Sequence, residues 1–487
     1  MALRIERLIA RQVWATAFKN RAFFGVLMGI GFLLVYAAVT GWVSFRQQNA
    51  MGRQYQQQAR QEWLNNPDKH PHRMAHYGHF AFRPKAPLSV FDFGMESFLG
   101  NTVFLEAHKQ NSVNFSEAGF STGLLRFGEI SLSMVLQLLL PLLLFFVGFG
   151  TVASDRETGT LKLLLSQGVS WQQLLVGKSL GLIAVMLILY GPVMLATGLL
   201  WFGLLWFGLQ GGAVNADQTL RLLLLLGSYF LYLSLFCVIA VLVSARCRTA
   251  KTALVSLIGL WLMLTLVLPR ASQALGSYLY PAPSKAKFLA DIQADVLKEG
   301  DSHNPNDPHY KELKDSLLTA YGVDSVQKLP FNYSGFVMAE GEKISAQLYN
   351  DHFQRLLAIY DQQNRFSKTL AFVNPYLAIR NLSMALSGTD FASYVDFQQQ
   401  AEQYRYDMAQ KLNELQIELI SNQKPGPTDK PHQIGKNHWQ EIPDFTYQSP
   451  GVASVFRHET ISLLAFIFWS GLLWVVAWRL TKTLTAL

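Results

Sequence analysis

Between Arg21 and Arg46 the chain has no charged side chain, and an uncharged apolar run of that length constrains the fold more than any other feature. About 20 apolar residues wound as a helix cross the hydrocarbon core of a bilayer, where the backbone must satisfy its own hydrogen bonds. With 22–45, further windows of this kind at 130–153, 179–205, 222–243, 252–268 and 460–478 predict six transmembrane helices. The window 252–268 is short and ends at Pro269, which predicts a span that is tilted little or partly re-entrant. Only 15% of the 487 residues are charged and half are hydrophobic, a balance that points to membrane residence.

Orientation follows from the short basic flanks, because positive loops stay in the cytoplasm. Arg4, Arg7, Arg11, Lys19 and Arg21 precede span one; Arg246, Arg248 and Lys251 follow span four; Arg479 and Lys482 follow span six. All three groups share one side if both termini are cytoplasmic. This places 154–178 inside and 46–129, 210–221 and 269–459 outside. The net charge of +8 is partly this topology signal; its dispersal along the chain argues against a nucleic-acid partner. Span one is longer than the roughly 7–15 apolar residues of a signal peptide and reads as an uncleaved anchor. Cys237 and Cys247 fall at span four, so no disulfide holds the outer regions, which is more typical of a bacterial envelope protein than of a small secreted scaffold.

The fold class is therefore an all-α polytopic membrane protein, with a small mixed α/β outer region at 46–129 and a large, mainly helical one at 269–459. In 1–21, Ile5, Leu8, Ile9, Val13 and Phe18 share a face, which predicts an amphipathic helix on the membrane lipid surface. The Gln-rich stretch 46–66 continues the first span as helix until Pro67 and Pro71. His76–Pro84 alternates like a strand and Met95–His108 is expected to be helical. In the second outer region helices are expected at 285–298, 311–321, 341–372 and 394–420. A proline-flanked loop at 303–308, a break at Asn374-Pro375 and an extended return at 421–450 separate or follow them.

Charges lodged between two spans must lie in water, so Ser154-Asp155-Arg156-Glu157-Thr158-Gly159-Thr160-Leu161 leads into a small amphipathic helix able to dock a partner. The chain has no ATPase of its own. Val176-Gly177-Lys178-Ser179 imitates the end of a phosphate-binding loop, but Gln172 stands where that loop needs glycine, and the lysine opens a span instead of following a strand. Ion-driven transport leaves ionisable groups inside the spans, and here Glu129 and Arg221 sit only at edges, with Gln137 in an interior. His70, His72, His76 and His79 have spacings that could offer imidazoles to zinc or copper. No cysteine accompanies them and Pro71 argues against one helical array, so a solvated or core role is the expected one and no metal is assigned. Gly25 and Gly29 fit the small-residue motif of close helix approach, and Gly191-Pro192 predicts a kink in span three.

Glu157-Thr158-Gly159-Thr160-Leu161, followed by Leu164-Leu165-Ser166, Val169-Ser170 and Leu174-Leu175-Val176-Gly177-Lys178, resembles the coupling-helix loop of ABC-2 type transporter permeases, in the same place between spans two and three. The outer regions resemble a subfamily that carries a large domain of unknown function before the last helix. That resemblance lies in His76-Tyr77-Gly78 through Phe82 and Pro84, and in Leu105–His108. It continues in Asn374-Pro375, Leu377-Ala378, Arg380, Leu382-Ser383-Met384, Gly388-Thr389-Asp390-Phe391, Phe397, Ala401-Glu402, Arg405 and Asn413, and in Pro443–Tyr447. The His-rich stretch around His70 stands outside it.

The resemblance implies a permease subunit of an exporter, paired with a second copy or a related permease and with two ABC ATP-binding subunits. Those subunits would carry the ATP and Mg; this chain needs no cofactor. Asp155 and Glu157 would offer charge to the ATPase, Leu161, Leu164 and Leu165 its apolar contact, and Arg156, Gly159 and Thr160 complete the coupling segment. Two other functions stay open on the residues alone: an ATP-driven mechanotransmitter acting on outer partners without moving a substrate, and an envelope receptor or scaffold without an ATPase.

Overall fold

The computed structural model describes residues 2–19, 21–112, 129–207, 215–300, 304, 307–423 and 431–484. Of the segments singled out above, 113–128, 210–214, 301–303, 305–306 and 424–430 lie outside the described residues. Among the described residues, six helices are long and apolar enough to cross a membrane: Phe23–Leu64, Leu132–Glu157, Trp171–Leu199, Ala216–Arg246, Ala250–Leu279 and Thr460–Thr483. Most other elements are helical, apart from a two-stranded sheet, so the chain is a mostly helical polytopic protein.

The N-terminal helix Ala2–Lys19 buries Ile9, Val13 and Ala17, one side chain per turn. Facing them in span three are Gly177 and Gly181. A Cβ on Gly177 would stand 2.8 Å from that of Ile9, and one on Gly181 2.7 Å from that of Val13, so only glycine lets the two backbones approach this closely. The sequence lays this helix on the membrane surface. Its buried stripe is instead docked on span three, and only the face bearing Leu8 and Trp14 is left exposed.

Spans two and five contain π turns, Val135–Leu139 and Met263–Val267, each with a proline two residues beyond, Pro141 and Pro269. In this register Leu268 donates to the Met263 carbonyl. The next carbonyl, Leu264, would need an amide at residue 269, and proline has none. The Asn374 side chain supplies the donor, at 2.7 Å. In span two the Tyr232 hydroxyl reaches the Gln137 carbonyl at 2.8 Å, and the Trp261 indole reaches that of Leu138 at 2.9 Å. Pro269 therefore does not end the fifth helix, which continues through Leu268–Leu279; the short span stopping at Leu268 is corrected.

At the opposite end from the N-terminal helix, span one runs on as one helix to Leu64. Strand β1 (His79–Phe82) pairs antiparallel with β2 (Thr102–Leu105), His79 opposite Leu105. The helix expected over Met95–His108 is limited to the single turn Glu96–Leu99. Gly100, at φ 78°, ends it, and the β-branched and aromatic Thr102-Val103-Phe104-Leu105 then pairs as a strand. Trp63, Met74, Ala81, Val103, Phe397, Leu412 and Trp439 close a core of their own.

The long helices Tyr333–Thr369 and Phe391–Leu419 pack together around Arg405, preceded by Lys285–Glu299 and Pro308–Tyr321. Asn374-Pro375 does more than break a helix: it starts another, Pro375–Ser387, with Asn374 as its cap at 3.0 Å from the Tyr376 amide. This helix is buried on nearly every side. Tyr376, Leu377, Ile379, Leu382 and Leu386 belong to the same apolar cluster as spans four and six, so a segment assigned to the outer region, with no helix expected in it, is a helix packed into the bundle.

Candidate functional site

The stretch 154–178 is made of two short helices, Ala153–Glu157 and Thr160–Ser166, before span three starts at Trp171. Gly159 and Gly168 make the corners at φ 78° and 88°, left-handed conformations that disfavour a Cβ. Neither corner is crowded, so backbone conformation alone calls for glycine there.

Three braces hold this loop to the spans. Ser244 accepts from the amides of Val152 and Ala153, both at 3.0 Å, and donates to the Phe149 carbonyl at 2.7 Å. Arg156 donates to the carbonyls of Ala245 and Cys247, at 2.9 and 2.5 Å, where span four ends and leaves carbonyls that favour a cation. Asp155 pairs with Lys178 at 2.6 Å, and Lys178 is 3% exposed. The lysine of the false phosphate loop thus ties the loop to the base of span three.

These braces divide the residues that the sequence put forward. Asp155 and Arg156 are half-buried with their charged groups paired inward, and Leu161 is fully buried. Glu157 is exposed; Leu164 and Leu165 are half-buried against the bundle core. Thr160 and Thr158 share a hydrogen bond at 2.9 Å beside the Gly159 corner. The outer face consists of Glu157, Lys162, Leu163, Ser166 and Gln167, and Leu163, not singled out in the sequence, is its large apolar side chain at 63% exposure. The i, i+4 run of leucines was the available signal, but it cannot say which face points inward.

Span four carries the connection to the other end. Gln137 donates to the Tyr229 hydroxyl at 2.6 Å, Tyr229 shares a hydrogen bond with Ser383 at 2.8 Å, and Ser383 donates to Asp92 at 2.5 Å. Burial pushes the Asp92 carboxyl above its usual range, against the hydrogen bonds from Ser383 and the Gly94 amide. At the span's end Arg221 pairs with Asp217 at 2.9 Å and donates to the carbonyls of Ala385 and Pro450. Spans two and four, the inserted helix Pro375–Ser387 and the approach to span six are thereby hydrogen-bonded together.

The four clustered histidines do not form one group. Pro71 is the first residue of the helix Pro71–Tyr77, a position where proline fits, and not the obstacle expected. His72 and His76 therefore sit one turn apart, with Nε2 atoms separated by 3.2 Å. His70 caps that helix, accepting from the His72 amide, and burial lowers its pKa. His79 lies against Trp63, with Asp444 at 3.5 Å, and burial lowers its pKa as well. The third ring beside His72 and His76 is His108, with centroids 5.5 and 5.4 Å away, three residues beyond the end of β2.

Two family models match the chain. Residues 105–286 match the ABC-2 family transporter protein, and residues 285–448 match a domain of unknown function (DUF3526). Residues 105–286 thus carry an ABC-2 family transporter domain. No curated protein matches the chain. It is a transmembrane permease subunit of ABC type and a multi-pass membrane protein, from a family of typically non-enzymatic membrane subunits that work with ABC ATP-binding subunits. The first match takes in spans two to five of the permease with the braced loop between two and three. The second takes in the helices packed around Arg405 and also Pro375–Ser387, so the added domain of this permease contributes a helix to the bundle.

Proposed function

We propose that this permease is the membrane subunit of an exporter in a bacterial inner membrane, with both termini cytoplasmic, driven by separate ATP-binding subunits that dock on 154–178 and bring the ATP and Mg. The observation that carries this reading is the division of labour in the loop. One face is fixed to spans three and four through Asp155–Lys178 and Arg156, while Glu157, Lys162 and Leu163 are presented outward. A partner gripping the outward face would move both spans through the inward one. A second permease completes the assembly. A Cβ added at Gly25 or Gly29 of span one would meet no other element of this chain within 4 Å, as on a face kept for another helix.

The test is nucleotide-dependent co-purification from detergent. The double variant Glu157→Ala/Leu163→Glu is expected to lose the ATP-binding subunit while keeping the yield and thermal unfolding of the parent; full retention of the subunit overturns the docking assignment.

Mechanotransmission is retained as a second reading because the bundle and the outer domain are wired together. Arg221 bonds Ala385 and Pro450, and Asn374 bonds Leu264, so motion of spans four and five would be passed directly to the added domain. Transport of a substrate by the reconstituted complex separates the two readings.

A further inference from the structure

Three imidazoles converge on the outer part of this permease, and the transport reading uses none of them. His72, His76 and His108 each offer a ring nitrogen, and the three nitrogens lie within 4.8 Å of one another. Two nitrogens bound to one zinc ion at about 2.0–2.1 Å in tetrahedral geometry stand about 3.4 Å apart. The Nε2 atoms of His72 and His76, at 3.2 Å, already have nearly that spacing.

The frame around them is rigid. Met74 and Ala75, between the two histidines, are buried in the core, so the helix Pro71–Tyr77 cannot roll. Its Ala75 carbonyl accepts from the Ala107 amide at 3.2 Å, which fixes the helix to the residue preceding His108. His108 is the one non-glycine residue with positive φ among the described residues, at 62°. A conformation of this kind is disfavoured for a side chain with a Cβ and persists where the surroundings over-determine it. Here Glu342 holds it: one carboxylate oxygen accepts the His108 amide at 2.7 Å and lies 3.1 Å from the ring Nδ1. Glu342 is itself locked by Arg405 at 2.6 Å, and Glu402 grips the same guanidinium from its other edge. A carboxylate that accepts a hydrogen bond from Nδ1–H leaves Nε2 of that ring as the nitrogen with a lone pair, the arrangement by which carboxylates orient metal-bound histidines.

We propose that His72, His76 and His108 bind one divalent first-row transition-metal ion, zinc being the best match, with Glu342 as the positioning residue. Neutral imidazoles suit zinc and its neighbours, while magnesium and calcium require oxygen ligands. His76 is solvent-exposed, so three protein ligands leave a coordination position open to water or to a ligand from a partner.

The full-length chain, purified in detergent with a tag free of histidine and stripped with a chelator, is titrated with zinc chloride alone in a calorimeter. One equivalent is expected to bind, with affinity at least tenfold weaker in each of His72→Asn, His76→Asn and His108→Asn and unchanged in His70→Asn and His79→Asn. Asparagine tolerates the positive φ of residue 108, so that variant keeps the turn. Glu342→Gln is expected to weaken binding about 10–100-fold, the usual range for a partner of this kind. X-ray absorption of the zinc-loaded protein should find three imidazoles. Equal binding by the parent and the His72→Asn/His76→Asn double variant, or an equal loss in His70→Asn, overturns the site.

Discussion

Asn374 donates its side-chain amide to the Leu264 carbonyl at 2.7 Å, the group that Pro269 leaves without an amide in the π register of span five. The same side chain caps the inserted helix through its oxygen, 3.0 Å from the Tyr376 amide. Asn374→Ala should therefore destabilise the protein by about 1–3 kcal/mol for the stranded carbonyl alone, read as a lower thermal unfolding midpoint in detergent. Pro269→Ala restores an amide and should recover part of the loss in the double variant. Strictly additive losses would mean that the two residues do not serve the same carbonyl.

Lys178→Met is expected to destabilise the protein more than Asp155→Asn/Lys178→Met. Removing one member of a buried pair strands the other charge, at a cost of about 3–5 kcal/mol, whereas removing both leaves no charge to solvate. Asp155 keeps 15% of its side chain exposed, which puts the loss at the lower end. Chemical denaturation of the two variants decides; a double variant no more stable than the single would contradict the pairing.

The outer domain should weaken in acid. Burial opposes ionisation of Glu342, but the hydrogen bond from His108 and the charge of Arg405 outweigh it and hold the carboxyl at about 2, against an ordinary 4.5. A depressed folded pKa stabilises above the unfolded value, so this contribution is complete above about pH 4.5 and is lost as the pH falls towards 2. Its size is roughly 3 kcal/mol at neutral pH. Glu402, raised by burial, works in the opposite direction and blunts the net effect. Glu342→Gln should flatten the acid limb of the unfolding midpoint between pH 4.5 and 3; an unchanged limb would contradict this role.

Gly159→Ala should destabilise by about 1 kcal/mol, because an L residue is disfavoured in the left-handed region even with open space around it. Gly159→Asn should cost less. Thermal unfolding of both variants, with Gly52→Ala in an open helical position as reference, reads the difference.

The six spans were legible because bilayer thickness imposes a long uncharged run that composition alone reveals. Other features depended on contacts distant in sequence. Pro269 reads as a helix end until Asn374 is known to supply the missing donor. Pro375–Ser387 reads as outer because it falls between the windows of spans five and six, and only its packing on spans four and six shows where it lies. In the loop, the coupling segment itself stood out by its charges and its Gly-Thr-Leu step. Which leucine faces out did not, since Leu161 and Leu163 differ only in the side of one short helix they occupy. His108 lay beyond the window in which clustered histidines attract notice, and strand pairing brings it back beside His72 and His76.

The most direct measurement of the docking assignment places a photo-crosslinking amino acid at position 163, 157 or 161 of the full-length chain in its native host membrane and identifies the adducts by mass spectrometry. Adducts with an ABC ATP-binding subunit are expected from positions 163 and 157 and not from the buried 161. No such adduct from 163 and 157, with the subunit captured instead from another part of the chain, would contradict it.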